Sequence, residues 1–337
     1  MRKLCTGLFF DKQGKEACRV DRMQIAFRLV GVVLITALVF LVAGLMATWE
    51  PDRPVEKLAG RWAAAPSQFM DVAGLHVHFR DEGPRNDPVP IVLLHGTSDS
   101  LHTWEGWAQS LKSQRRVIRF DLPGFGLTGP SPANDYSIAA DTQFVVQMMD
   151  AMGLKTVVLG GNSLGGEIAW ATAVAVPQRV SKLVLVDAAG YPLQPVSIPV
   201  AFRFAHMPLV RNIMQYVLPR GVVKSSVRNV YGDPDKVGNV LVDRYFELAL
   251  RTGNRAALGR RLEQRYAGDY LLIQRIKVPT LILWGGKDRL IPPDIAKRFE
   301  TDIVGSRLVV FQELGHVPQE EDAKRTLEEV QRFLDKR

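Results

Sequence analysis

The sequence predicts an α/β fold: a mostly parallel sheet covered by helices on both faces, with a helical insertion and an apolar N-terminal helix. Three observations predict it. Short β-branched and apolar runs alternate with helical segments from Pro90 to Asp187 and again from Val278 to Leu334, the pattern of strands joined by crossover helices. Between Ala188 and Arg275 the alternation stops, and prolines at 192, 195, 199 and 208 give way to helical spacing. Leu29 to Ala47 supplies nineteen residues without a charge, enough to cross roughly 30 Å of hydrocarbon at about 1.5 Å per residue.

Residues 1–24 are polar and basic, and Ile25 to Trp49 is apolar apart from Arg28 and Thr36. A cleavable signal has a shorter apolar core of about 7–15 residues and a small-residue cleavage site. Leu45-Met-Ala47 is a poor site, so residues 25–49 are expected to be an uncleaved membrane anchor with Trp49 at its interfacial edge. Seven Lys/Arg precede or enter the span, against Arg53, Lys57 and Arg61 soon after it. That asymmetry predicts a cytoplasmic N-terminus and a translocated remainder, on the periplasmic or outer face in a bacterium. The two cysteines, Cys5 and Cys18, would then lie in the reducing compartment.

Residues 50–66, with three prolines and mixed charge, suggest a linker. Phe69–Val72 and Leu75–Arg80 read as two antiparallel strands turning at Ala73-Gly74. His76 and His78 alternate with apolar neighbours there, as structural residues of a hairpin face. Pro90 to Thr97 is a buried strand ending at His95-Gly96, Leu101 to Leu111 a helix, and Val117 to Gly126 a strand running into a glycine-rich turn. Ile138 to Met152 is an amphipathic helix stopped by Gly153, Thr156–Leu159 a buried strand, Glu167 to Val176 an Ala-rich helix, and Lys182–Asp187 another strand. Helical spacing in the insertion falls near Val237–Leu250 and Arg255–Tyr266. A strand at Val278–Trp284, a helix near Pro293–Phe299, a strand at Arg307–Phe311 and a helix over Pro318–Leu334 close the chain.

Charge and histidine spacing narrow the function. The net charge is +8, with 13 Lys/Arg against 6 Asp/Glu in residues 193–275 and 12 against 15 in residues 50–192. A nucleic-acid protein would interleave aromatics with such charge and carry a binding motif. Neither is present, so the basic insertion is read as a solvated helical face or a surface for anionic lipid. None of the six histidines forms an H-x-x-x-H pair and the cysteines build no cluster, so no metal or other cofactor is expected.

The most informative stretch is Gly161-Asn-Ser-Leu-Gly165, set between a strand and a helix. A serine there occupies a strained turn that lifts its hydroxyl clear of the sheet, and the flanking glycines avoid backbone clashes. A neutral hydroxyl is a poor nucleophile and needs a base with a pKa near the working pH, and that imidazole needs a carboxylate to fix its tautomer. Asp288 and His316 each follow a strand in the right order for those roles. His206, the one other histidine after the serine, lies within the insertion.

With His95-Gly96, Asp121-Leu-Pro-Gly-Phe-Gly126, Gly161-Asn-Ser-Leu-Gly165, Trp284-Gly-Gly-Lys-Asp288 and Gly315-His316 in this order, residues 67–337 resemble the α/β-hydrolase superfamily. The capped esterase and C–C hydrolase branch is the nearest in pattern. Dehalogenases and epoxide hydrolases place an aspartate at the elbow, where this chain has Ser163. The resemblance implies an eight-stranded core from residues 67–190 and 276–337, and a helical cap from 191–275. It implies Ser163 as nucleophile, His316 as base and Asp288 as acid, with Asp187 the alternative acid because some relatives carry the carboxylate at that strand end. The oxyanion hole would be the backbone N–H groups of Leu164 and Thr97. His95 and Gly96 would support that loop, and Asp121 would brace its own turn. The expected activity is hydrolysis of a carboxylic ester. The apolar runs Val196–Phe204 and Met207–Leu218, beside basic residues, favour a lipophilic or lipid ester. Two alternatives remain at this stage. One is a C–C hydrolase of the ring-cleavage-product type, with Arg203 or Arg211 meeting a substrate carboxylate. The other is a non-catalytic ligand-binding protein. The sequence sets no oligomeric state.

Overall fold

The computed structural model describes residues 12–192, 196–197, 215–264 and 269–335, with side chains from Gln24 onward. The expected runs Val196–Phe204 and Met207–Leu218, and with them Arg203, His206 and Arg211, lie largely or wholly outside the described residues. The chain divides into two compact units, Met1–Trp49 and Glu50–Arg337.

The first unit contains one helix, α1 (Lys12–Ala47). Gln24–Ala47 is long and apolar enough to cross a bilayer, and none of it is buried within the protein. The helix begins well before the apolar run, because nothing in the polar stretch from Lys12 to Met23 breaks it.

The second unit is built on one eight-stranded sheet, ordered β1-β2-β4-β3-β5-β6-β7-β8. The strands are β1 (Gln68–Val72), β2 (Leu75–Glu82), β3 (Ile91–Leu94), β4 (Val117–Phe120), β5 (Val157–Asn162), β6 (Val180–Val186), β7 (Thr280–Gly285) and β8 (Arg307–Phe311). β1 and β2 run antiparallel, as does β2 against β4, and every pairing from β4 to β8 is parallel. The sheet is therefore mixed at one edge and parallel through its centre. Ala73 and Gly74 both adopt positive φ to close the β1–β2 turn.

Strand alternation sorts the core onto the two faces of the sheet. Val92 and Leu94 of β3 join the cluster built with Phe144, Ile168 and Phe299, whereas Ile91 and Leu93 join Trp104, Trp107, Leu327 and Phe333. The first cluster is covered by α4 (Ile138–Ala151), α5 (Leu164–Ala175) and α9 (Asp294–Asp302). The second is covered by α3 (Glu105–Leu111) and α11 (Ala323–Asp335). Ser137 caps α4 by accepting from the Ala140 N–H. The closing helical stretch is interrupted at Asp322, so a short α10 (Pro318–Glu321) precedes α11.

Between β6 and β7 lie α6 (Arg220–Val230), α7 (Asn239–Ala249) and α8 (Asn254–Gln264). The segment that its prolines suggested was a linker holds a further helix, α2 (Val55–Trp62), with Leu58 and Trp62 buried against Leu127 and Leu248. The Trp62 indole N–H donates to Glu247 at 2.6 Å and Arg61 reaches both Asp243 and Glu247, so α2 is fastened to α7. The prolines bracket this helix instead of preventing it: Pro54 is its N-cap.

Candidate active site

β5 delivers Ser163 directly to the N-terminus of α5, with φ 55° and ψ −118°. For a residue with a Cβ this is a strained conformation, and such strain persists only where the surroundings over-determine it. They do so here. The Ser163 N–H donates to Val186 O, and its own carbonyl accepts from the N–H groups of Glu167 and Ala189. Both flanking glycines are required by space: a Cβ on Gly161 would lie 2.1 Å from Gly165 O, and one on Gly165 would lie 2.3 Å from Leu94 O.

Asp288 and His316, the acid and base that the resemblance implies, lie together. His316 Nδ1 lies 2.7 Å from Asp288 Oδ2, and both residues are buried. The other carboxylate oxygen, Asp288 Oδ1, accepts from the N–H groups of Leu290 and Ile291 at 2.8 and 3.0 Å. Those donors orient the carboxylate, and a carboxylate in that place would hold an imidazole proton on Nδ1 and turn Nε2 away from it. Asn162, immediately before the serine, donates from Nδ2 to both Val186 O and His316 O, so the elbow and the histidine loop share one side chain.

The loop after β3 closes the other side. A Cβ on Gly96 would sit 3.1 Å from Ser163 Cβ and from Asn162 Oδ1, a tight fit, so the loop runs close against the serine. Thr97 follows it, and Leu164 follows the serine. Neither backbone N–H has an acceptor among the described residues. His95 is a brace. Its buried ring donates from Nδ1 to Gly96 O and accepts at Nε2 from the Leu122 N–H, and burial pushes its pKa down, keeping it neutral. Asp121 likewise braces its own turn, accepting from His78 Nδ1, the Leu101 N–H and the Leu127 N–H. Burial alone would raise the Asp121 carboxyl, but His78 above all holds it below the usual carboxylate range. The partner role explains why His78 is fully buried while His76 is exposed and stacks on Phe69.

Asp187, the alternative acid, is also at the site. One polar atom each from Asp187, Asp288 and His316 lie within 4.8 Å of one another. Such a trio has the composition of a cation site, but the 2.7 Å Nδ1–Oδ2 separation is that of a shared proton, so we assign the groups to hydrogen bonding.

Several residues with no sequence motif complete the surroundings. Arg244 of α7 donates to both Glu320 oxygens at 2.6 and 2.9 Å and to Asp99 at 3.3 Å, and the Tyr245 hydroxyl donates to Asp99 at 2.9 Å. Asp99 is in the loop after β3, and Glu320 follows His316 by four residues, so one cation ties the insertion to both loops. The backbone at the end of α6 adds to this: the His316 N–H donates to Val230 O at 2.7 Å. Glu321 accepts from the N–H groups of Gly232, Asp233 and Gly315. A cavity beside the β3 loop is lined by Ser98, Phe125, Leu248, Asn254, Arg255 and Leu258, so the insertion supplies part of its wall.

Comparison with known proteins adds three relatives. The chain is 29% identical over 273 residues to a 2-hydroxy-6-oxo-2,4-heptadienoate hydrolase of Pseudomonas putida, covering 77% of this chain and 93% of that one. It superposes on a bacterial membrane phospholipase A with a TM-score of 0.68 and 25% identity, over 94% of this chain and 98% of the other. A thermophilic esterase from Thermogutta terrifontis shares the fold, with a TM-score of 0.67, 24% identity and coverage of 80% and 98%. Residues 89–323 match the family model for the alpha/beta hydrolase fold. With the mixed eight-stranded sheet and the strained serine between β5 and α5, that match makes the chain a member of the α/β-hydrolase family, a family of hydrolytic enzymes.

Proposed function

We propose that the protein is a membrane-anchored serine hydrolase that cleaves a carboxylic ester of a lipophilic or lipid substrate. The observation that carries this reading is the His316–Asp288 pair at 2.7 Å, joined through Asn162 to a serine held in a strained elbow. Ser163 Oγ attacks the ester carbonyl as its proton passes to His316 Nε2. The oxygen that becomes negative is received by the N–H groups of Leu164 and Thr97. His316 then gives its proton to the departing alcohol. Water, deprotonated by the same imidazole, attacks the acyl-enzyme to release the carboxylic acid and restore Ser163. Asp288 holds the imidazole in place and stabilises the imidazolium. The inserted helices act as a cap over this centre, and oligomeric state plays no part in the scheme.

Two observations support a substrate drawn from a membrane. Gln24–Ala47 is long enough to anchor the chain. The match to the membrane phospholipase A covers 94% of the 337 residues, about 317, which exceeds the 288 from Glu50 onward and so reaches into the N-terminal helix. The charge asymmetry around the anchor favours a cytoplasmic N-terminus with the catalytic unit outside. Release of fatty acid from vesicles of phosphatidylcholine and phosphatidylglycerol tests the substrate class. Vesicle hydrolysis together with preference for long-chain over short-chain p-nitrophenyl esters is expected. Faster turnover of short soluble esters, with or without detergent, would overturn the lipid assignment.

The similarity to the Pseudomonas putida hydrolase supports a second reading, cleavage of a C–C bond in a ring-cleavage product by the same three residues. Turnover of 2-hydroxy-6-oxo-dienoates well above that of esters would favour it.

A further inference from the structure

Asp187 stands at the end of β6 with a backbone that an aspartate rarely adopts, φ 43°. Its Oδ1 accepts from the Gly285 N–H at 2.9 Å, and its own N–H donates to Leu283 O. These bonds hold the side chain beside Asp288 and aim Oδ2 into the protein. That oxygen is buried, and no hydrogen-bond partner is assigned to it among the described residues. An isolated buried oxygen costs free energy unless it finds a donor or is itself the donor. Among the described residues no donor is assigned to it, and the second case accounts for its burial.

The acceptor follows from counting lone pairs on Asp288. Its Oδ1 receives two N–H groups, from Leu290 and Ile291, whereas among the described residues the one donor assigned to Oδ2 is His316. One acceptor position is left on Oδ2. We propose that Asp187 is a positioning residue: it keeps a proton on Oδ2 and donates it to Asp288 Oδ2, forming the chain Asp187–H···Asp288···H–His316. The inference rests on the triad reading of the site and deepens it. Asp187 is then a partner of the acid, in place of the alternative to it that the sequence suggests.

The surroundings favour the proton. Burial pushes the Asp187 carboxyl well above the usual range, and Asp288 adds to this; Glu321 acts in the same sense and the Gly285 N–H against it. The charged or titratable groups facing it are Asp288 from the loop after β7, His316 from the loop after β8 and Glu321 from α10. Two carboxylates this close in a buried site do not both ionise. With the proton on Asp187, the one negative charge stays on the carboxylate that touches the imidazole.

The test compares Asp187→Asn, which keeps a donor without a titratable proton, with Asp187→Leu, which removes the donor, in the full chain. Infrared spectra of the wild type at neutral pH should contain the C=O band of a buried carboxylic acid, and Asp187→Asn should lose it. The acid limb of kcat/KM for a p-nitrophenyl ester should coincide in wild type and Asp187→Asn. Were Asp187 ionised, removing a charge within 4.8 Å of the site would move that limb down by about one unit or more. In Asp187→Leu, kcat should fall about tenfold with KM unchanged. Linkage gives a reading independent of turnover. A carboxyl raised in the folded state stabilises at low pH and loses that contribution as pH rises past about 4, where the unfolded residue ionises. Asp187→Asn should therefore gain melting temperature relative to wild type between pH 4 and pH 8. An unchanged infrared band, a downward shift of the acid limb, or equal kcat in the Asn and Leu variants overturns the proposal. If Asp187→Leu does not fold, the infrared and pH readings of Asp187→Asn decide alone. Turnover surviving Ser163→Ala would instead overturn the triad reading, so the two failures are distinguishable.

Discussion

At Gly165 a single hydrogen-to-methyl change is intolerable, because the new Cβ would meet Leu94 O at 2.3 Å and His95 O at 2.6 Å. Both obstacles are backbone atoms, at the end of β3 and in the first residue of the loop after it, so neither can rotate away. Gly165→Ala is expected to cost about 1–3 kcal/mol of stability by overpacking and to remove most turnover by displacing the elbow. Chemical denaturation and ester hydrolysis measured together check this, and wild-type values for both would contradict it. Ser163, Asp288 and His316 stand out in the sequence as candidates because each sits just past a strand, where local pattern locates it. Arg244, Asp99 and Glu320 were not legible. Their contacts join positions 145 and 76 residues apart, and nothing local marks a surface-type arginine as a buried tie.

Among the elements, α7 fastens the insertion to both loops of the site. Arg244→Met would leave buried Asp99 and half-buried Glu320 without their cation, expected to cost about 3 kcal/mol. Arg244→Lys should recover only part, since one ammonium cannot reproduce the two-pronged contact with Glu320. Urea unfolding of the detergent-solubilised protein measures both, and an unchanged midpoint in Arg244→Met would refute the tie. The helix α2 behaves differently from its sequence signature. An eight-residue helix between prolines has little intrinsic stability, and packing of Leu58 and Trp62 supplies what propensity does not. It is also held by His102, whose Nε2 lies 2.9 Å from Trp62 O while Ser100 donates to Nδ1 at 3.0 Å. Burial pushes the His102 imidazole down to about 3. A base lowered in the folded state gives its full stability above its unfolded pKa of about 6.5 and loses it as pH falls toward 3. Melting temperature should therefore decline less steeply from pH 6.5 to 4.5 in His102→Gln than in the wild type. Parallel slopes would show that His102 already titrates normally.

Across the whole molecule, the alternation of buried strands and helices predicted the sheet, because parallel strands buried on both faces leave continuous apolar runs in the sequence. Val278–Trp284 and Arg307–Phe311 fall almost where β7 and β8 lie. The antiparallel β1–β2 edge was equally visible, through its period of two and the Ala73-Gly74 turn. What stayed hidden is tertiary. The sequence ranks Asp187 and Asp288 as competitors for one role, whereas the fold brings both within 4.8 Å of each other and of His316. The match over residues 89–323 assigns the family, and chemistry at Ser163 is the step that turns family into function. Covalent labelling of the full chain with a fluorophosphonate probe tests that step most directly. The wild type is expected to be labelled on Ser163, with labelling abolished in Ser163→Ala and reduced at least about 10³-fold in rate in His316→Ala. A folded wild type that resists the probe, or equal labelling of Ser163→Ala, would contradict a serine hydrolase at this site.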